Sequence, residues 1–186
     1  MISYLWKNYE QAMFIFIEEK KMKVYITGDH HFCHTNIIKY CNRPFSSVEE
    51  MNEQMIERWN HIVLEEDIVF HLGDFVLGNT TEIKIIRRRL NGTIFLLLGN
   101  HDRKTRMKNS GFIILPDDEI RIHNLVLTHR PLAEIPERYV NVHGHIHEKQ
   151  TSGRRINASV DVTNFEPVLI EEYFKEANLL LKKTKN

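Results

Sequence analysis

Asp29, His31, Asp74, Asn100, His101, Asp102, His129, His145 and His147 stand out because of where they sit. Each follows a short apolar run, in "YITGDHH", "VFHLGD", "LLLGNHD", "LVLTH" and "YVNVHGHIH". Aspartate and histidine are poor strand formers and costly to bury unpaired, so something must compensate them. The set offers carboxylate, imidazole and amide oxygen, with no thiolate at these positions. That mixture suits Mn²⁺, Fe or Zn²⁺ better than an all-thiolate zinc site or an all-oxygen calcium cage. There are more donors than one ion needs, and a shared carboxylate could bridge two. Taken singly, a "GD" or "GNHD" after a strand is usually only a turn. Ordinary turns do not place metal-ligand types after every strand.

The elements that must position these residues can be read from hydrophobic patterning. "KVYIT", "DIVFHLG" and "TIFLLLG" are continuous apolar runs, as expected of strands covered on both faces in an α/β sheet. Between the first two, "SSVEEMNEQMIERWNHIV" predicts a helix. Ser46 or Ser47 opens a capping box with Glu49 or Glu50, and Val48, Met51, Met55, Trp59 and Ile62 follow at helical spacing. "NTTEIKIIRRRLNG" predicts a second helix, closed at Asn91-Gly92. "EIRIHNLVLTH" reads as two strands about a tight turn at His123-Asn124, and "YVNVHGH" and "RRINASVDV" as further strands. A closing helix is expected over "PVLIEEYFKEANLLLKK". In an open α/β sheet the carboxyl ends of the strands form the crevice that receives ligands, so the polar stretches should share one rim.

Composition fits this picture. The chain has 186 residues with 42% apolar content, the size of one domain with a sizeable core. Lys+Arg 25 against Asp+Glu 25 leaves no formal net charge. Zero charge makes no general case for nucleic acid or an anionic membrane. Two cysteines, Cys33 and Cys41, are too few for a disulfide framework and point to a reducing, cytoplasmic setting. The first 21 residues are apolar but interrupted by Lys7, Glu10, Glu18 and Glu19. Their longest clean run, "AMFIFI", is too short to span a membrane, and no cleavage-site pattern follows. They read as an extension of uncertain role, with a single domain over 22–186.

The ordered motifs "DHH", "GD", "GNHD", "TH" and "GHIH" resemble the calcineurin-like metallophosphoesterases, and "HTNIIKYCNRPF" and "VDVTNFEPV" are similar to a small bacterial or phage-type branch of that family. The resemblance implies an α/β fold, a sandwich of mixed β-sheets flanked by helices, with the metal site at the carboxyl ends of the strands. It also implies two divalent ions, Mn²⁺ foremost, with Fe, Zn²⁺ or Ni²⁺ also compatible. Asp29, His31 and His147 would hold the first, and Asn100, His129 and His145 the second. Asp74 would bridge them. His101, backed by Asp102, would lie near the substrate. His34 is expected to face the phosphate, the alternative being that it supports a ligand from behind, and Asn36 to cap the following helix. Arg43 could reach a phosphate bidentately or form an ordinary salt bridge. Cys33 stands where the family often has glycine, and core packing is the expected reason. His71 and His143 read as satisfied structural histidines, His61 and His123 as surface ones.

The implied reaction is hydrolysis of a phosphate ester by a metal-bridging hydroxide, with His101 protonating the leaving oxygen. No P-loop or G-x-S-x-G elbow competes with it. The partner is a phosphate-ester substrate, including nucleotides. A nuclease is the alternative, weakened by the zero net charge, though Arg103, Lys104 and Arg106 could form a local basic patch. A non-catalytic metal-binding interaction module is a further alternative, discounted because every motif position is filled. The oligomeric state is not readable from the sequence.

Overall fold

The computed structural model describes residues 22–183. The expected N-terminal extension, 1–21, lies outside the described residues. The parallel strands β1 (Val24–Thr27), β2 (Ile68–His71) and β3 (Thr93–Leu96) form the centre of a five-stranded sheet. β4 (Ile113–Ile114) flanks β3, and β9 (Val168–Leu169) pairs antiparallel with β1. A second, four-stranded sheet runs β5 (Glu119–Ile122), β6 (Leu125–Thr128), β7 (Val140–His143) and β8 (Arg155–Asn157). Only its β5–β6 hairpin is antiparallel, turning at His123-Asn124 as expected.

Two apolar layers hold the sheets. Side chains alternate across each strand, so Tyr25 and Val69 face one layer while Ile26 and Phe70 face the other. The first layer packs the larger sheet against helices α1 (Thr35–Tyr40), α2 (Val48–Ile62), α3 (Thr80–Arg89) and α4 (Lys104–Lys108), with Met51, Met55 and Trp59 fully buried. The second layer lies between the sheets. There Ile26, Phe70 and Leu72 meet Leu125, Leu127, Val140 and Val142, closed by Tyr173 and Ala177 of α5 (Ile170–Lys183). At about 25 cal/mol per Å² of apolar surface, these layers supply the main stabilisation of the fold. The continuous apolar strands follow from this double coverage.

Some expectations shift. The α2 cap is divided between both serines: Ser47 Oγ accepts from Glu50 N, while Glu50 Oε2 accepts from Ser46 N. Val160–Val162 forms a 3₁₀ turn, not a strand. Val168-Leu169 extends the larger sheet, so the closing helix starts at Ile170, after Pro167. Asn36 sits inside the first turn of α1, and His34 holds the N-cap position without a side-chain cap bond. Among the described residues no helix is long and apolar enough to cross a membrane.

Candidate metal centre

β1, β2 and β3 end at one edge, and β6, β7 and β8 bring their carboxyl ends to the same rim. A parallel bridge between Gly28 and Ser159 ties the two sets together. The backbone there is unusual. Asp29 (φ 58), His31 (φ 52), Asp74 (φ 54), His145 (φ 71) and His147 (φ 54) are all left-handed, which non-glycine residues adopt at a cost of about 1–2 kcal/mol each. Cross-links between loops hold them in place: Asp29 N donates to Gly73 O and His31 N to Asp74 O, each at 3.0 Å. The loops also press close. A Cβ on Gly99 would collide with the Asp74 carboxylate, and one on Gly144 would lie 2.5 Å from Asp29 Oδ2.

Asp29, His31 and His147 form one cluster, with donor atoms mutually within 4.8 Å. Asp29 Oδ2 accepts from His145 N at 2.8 Å, whereas buried Oδ1 has no partner. Neither ring nitrogen of buried His31 is hydrogen-bonded. Burial pushes the Asp29 carboxyl up to about 6, the His129 and His147 charges opposing, and holds His31 down at about 3. His147 Nδ1 lies 2.9 Å from Asp161 Oδ2. A carboxylate only accepts, so Nδ1 carries a proton, and Nε2 is the nitrogen left to the cluster, able to bind once its own proton is released. Burial opposes the charge on His147, but Asp161 and Cys41 outweigh it and raise His147 to about 10.

Arg43 locks Asp161 and corrects an expectation. Its Nε and Nη2 bind Asp161 at 2.8 and 3.0 Å, Nη1 donates to His30 O and Nη2 to Asp29 O, both at 2.7 Å. Met51 Sδ takes the remaining N–H. With every donor committed and the residue 4% exposed, Arg43 has nothing left for a phosphate. The salt-bridge alternative is the one the structure realises.

The second cluster joins Asp74, His129 and His145, again within 4.8 Å. His129 Nδ1 donates to Leu72 O at 2.7 Å, so its Nε2 points at Asn100 Oδ1 (3.0 Å) and Asp74 Oδ2 (3.4 Å). Oxygens facing a ring nitrogen in this way call for a cation or a proton. Burial works against a proton on His129, yet Asp74 and Asp29 outweigh it and raise its pKa. Burial, with His129 and Arg130 nearby, lowers His145 to about 4. Burial would raise Asp74, but His129 and the His101 N–H outweigh it and hold it below the usual carboxylate range. Asp74 Oδ1 accepts from His101 N at 2.8 Å. Its Oδ2 also lies 3.6 Å from His31 Nε2, and so stands between the two clusters. Exposed Arg130 reaches in from outside, with Nη1 3.0 Å from His145 Nε2 and Nη2 3.3 Å from Asn100 Oδ1.

His101 is exposed at the rim, its ring 5.2 Å from that of His31 and 6.3 Å from that of His34. Asp102 does not back the His101 ring. Its carboxylate accepts from the backbone N–H groups of Asp74, Phe75 and Gly99, which fastens the β2 and β3 loops together. A group so occupied ties down the loops that carry Asp74 and Asn100. His30 points into the core, Nδ1 2.9 Å from His71 Nε2, and burial keeps both neutral. His71 and His143 are internally bonded as expected, and His61 and His123 are exposed. Cys33 packs against the first apolar layer, and its φ of 64 is one that glycine adopts freely.

Unpaired buried Asp29 Oδ1 and His31 nitrogens, facing acceptors around Asn100, and a guanidinium lodged among them together make a donor set that fits divalent ions. Sequence reasoning passed over Asp161 and Arg130. Asp161 follows β8 as the other rim residues follow their strands, and Arg130 directly follows His129; the strand-end rule would have found both.

Comparison with known proteins agrees with these features. The family model for calcineurin-like phosphoesterase matches residues 22–185. An uncharacterized protein of Methanocaldococcus jannaschii is 37% identical, covering 80% of this chain and 88% of its own. A crystal structure of a protein of unknown function from Aquifex aeolicus superposes with a TM-score of 0.67 at 25% identity, covering 83% of this chain and 98% of that one.

Proposed function

Because the chain belongs to the calcineurin-like phosphoesterase family, we propose that it is a dinuclear, metal-dependent hydrolase of phosphate esters. Asp29, His31 and His147 would hold one ion, Asn100, His129 and His145 the other, and Asp74 would be shared between them. The observation that carries this reading is Asp74 Oδ2, 3.6 Å from His31 Nε2 and 3.4 Å from His129 Nε2. Two divalent ions bound there, Mn²⁺ by preference and Fe, Zn²⁺ or Ni²⁺ otherwise, supply an activated water and neutralise the phosphate charge.

The chain's own residues do the rest. Asp161 and Leu72 O fix the tautomers and ring planes of His147 and His129. His34 contacts the phosphate from the α1 side of the rim. His101 protonates the departing oxygen, a role suited to an exposed imidazole beside the cluster. The substrate is a phosphate ester, nucleotides included, and the catalytic domain spans 22–186. Free Cys33 and Cys41 support a reducing, cytoplasmic location.

His101 supplies the test. His101→Asn should retain both ions and lose about 10²–10⁴-fold in kcat on an alkyl phosphate ester. It should lose much less on a nitrophenyl ester, whose leaving group needs no proton. An equal loss on both, or a parallel loss of metal, defeats the assignment. Wild-type turnover that survives exhaustive chelation would defeat the whole reading. A nuclease is the second reading, favoured by Arg103, Lys104, Arg106 and Lys108 at and along α4, immediately beyond Asn100 and His101. Hydrolysis of single-stranded DNA that falls steeply with salt would select it.

A further inference from the structure

We propose that Arg130 is a dual-purpose cation: it guards the second metal position while that position is empty and receives the substrate phosphate once it is filled. This rests on the two clusters being metal sites. Arg130 Nη1 and Nη2 donate to His145 Nε2 and Asn100 Oδ1, the atoms that would bind the second ion. His145 Nε2 has a single lone pair, which cannot serve both partners. No carboxylate among the described residues forms an ion pair with Arg130. Its side-chain anchors among the described residues are neutral ones, on which a divalent ion with its higher charge has the stronger claim.

The direction of approach matters equally. Asp74 and His129 are buried, whereas Arg130 is exposed and enters the cluster from solvent. A phosphate must use that open face. An ion in the second position repels the guanidinium outward, along the path by which the phosphate arrives. A planar fork of N–H donors matches two phosphate oxygens, and Arg130 becomes their partner. It takes the role that Arg43, fully committed to Asp161 and backbone carbonyls, cannot fill.

The two halves predict opposite signs for one substitution. Mn²⁺ is titrated into metal-stripped wild type and Arg130→Met by calorimetry, and inorganic phosphate is then titrated into each loaded protein. Removing the competitor should tighten the second Mn²⁺ by about fivefold or more and leave the first unchanged. Removing the receptor should weaken phosphate by roughly tenfold to a hundredfold. Arg130→Lys, which keeps charge without the fork, should restore the weaker second Mn²⁺ but not the phosphate affinity. A second Mn²⁺ bound as in wild type or more weakly in Arg130→Met overturns the guard role, and unchanged phosphate affinity overturns the receptor role. Wild type that takes up no Mn²⁺ defeats the metal-centre reading itself, a separate outcome. Arg130 is exposed, so a thermal melt matching wild type is expected for both variants.

Discussion

The two clusters share a composition and differ in what stands behind them. In the first, His147 leans on the Asp161 carboxylate, which Arg43 clamps from behind, and Asp29 and His31 are almost wholly buried. In the second, His129 leans on a neutral carbonyl, Leu72 O, and the outer side is touched by the cation Arg130. A carboxylate behind an imidazole makes it a better metal ligand, and a neighbouring cation makes the site worse. The proposed first site is therefore the tight one, and the second the exchangeable one. Ligand identity alone would have ranked them equal.

The largest expected effect erases this contrast. Asp74→Ala removes the proposed bridging group, so both metals should fall, and further than in His31→Ala or His129→Ala. Elemental analysis of the three variants checks it, and equal contents would show that Asp74 does not bridge. Next comes Asp161→Asn, which should weaken only the first site, by about 10- to 100-fold. The change also leaves Arg43 without its counter-charge. A lower melting temperature is expected as well, because breaking a buried pair typically costs about 3–5 kcal/mol. Equal weakening of both sites would remove the proposed asymmetry.

The next effect, at the low end of that range for each pH unit, sharpens the contrast through pH. His147, held up to about 10 by Asp161, must release a proton before its Nε2 can bind a metal. First-site affinity should thus rise with pH, by about tenfold per unit between pH 6 and 8. Below about 6, protonation of Asp29 steepens the dependence. Calorimetry in buffers of differing ionisation enthalpy counts the released proton, and a flat profile contradicts the Asp161–His147 link. The smallest effect belongs to Cys33→Gly, which lies outside both clusters. Relief of its positive φ opposes the loss of packing and the added chain entropy, so stability should change by less than about 1 kcal/mol. Denaturant midpoints test this, and any change in metal affinity would show that the Cys33 turn reaches the first cluster.

Much of this arrangement was legible because it is written in local pattern. Apolar runs ending in Asp, Asn or His marked β1, β2, β3, β6 and β7 and placed the proposed ligands at one rim. What escaped was long-range. Arg43 and Asp161 are 118 residues apart, and nothing near either announces the other. The Asp102 carboxylate was misread because its partners are backbone N–H groups, which carry no sequence signature. "VDV" has strand composition, yet it turns at the rim instead of extending β8. Val168 and Leu169 became a strand because β1 offered an open edge, a fact of tertiary packing that outranks helix periodicity.

Neither cluster belongs to one sheet. Asp29 and His31 follow strands of the larger sheet while His147 follows the smaller; Asp74 and His129 divide in the same way. During synthesis the chain therefore emerges with half of each site and must wait for the rest. Asp29, His31, Asp74 and Asn100 leave the ribosome long before His145, His147 and Asp161. Closing contacts of such high sequence separation is slow and comes late in folding. A nascent chain halted before His129 should fold its early strands but capture no metal firmly, so tight ion uptake reports that the two sheets have docked.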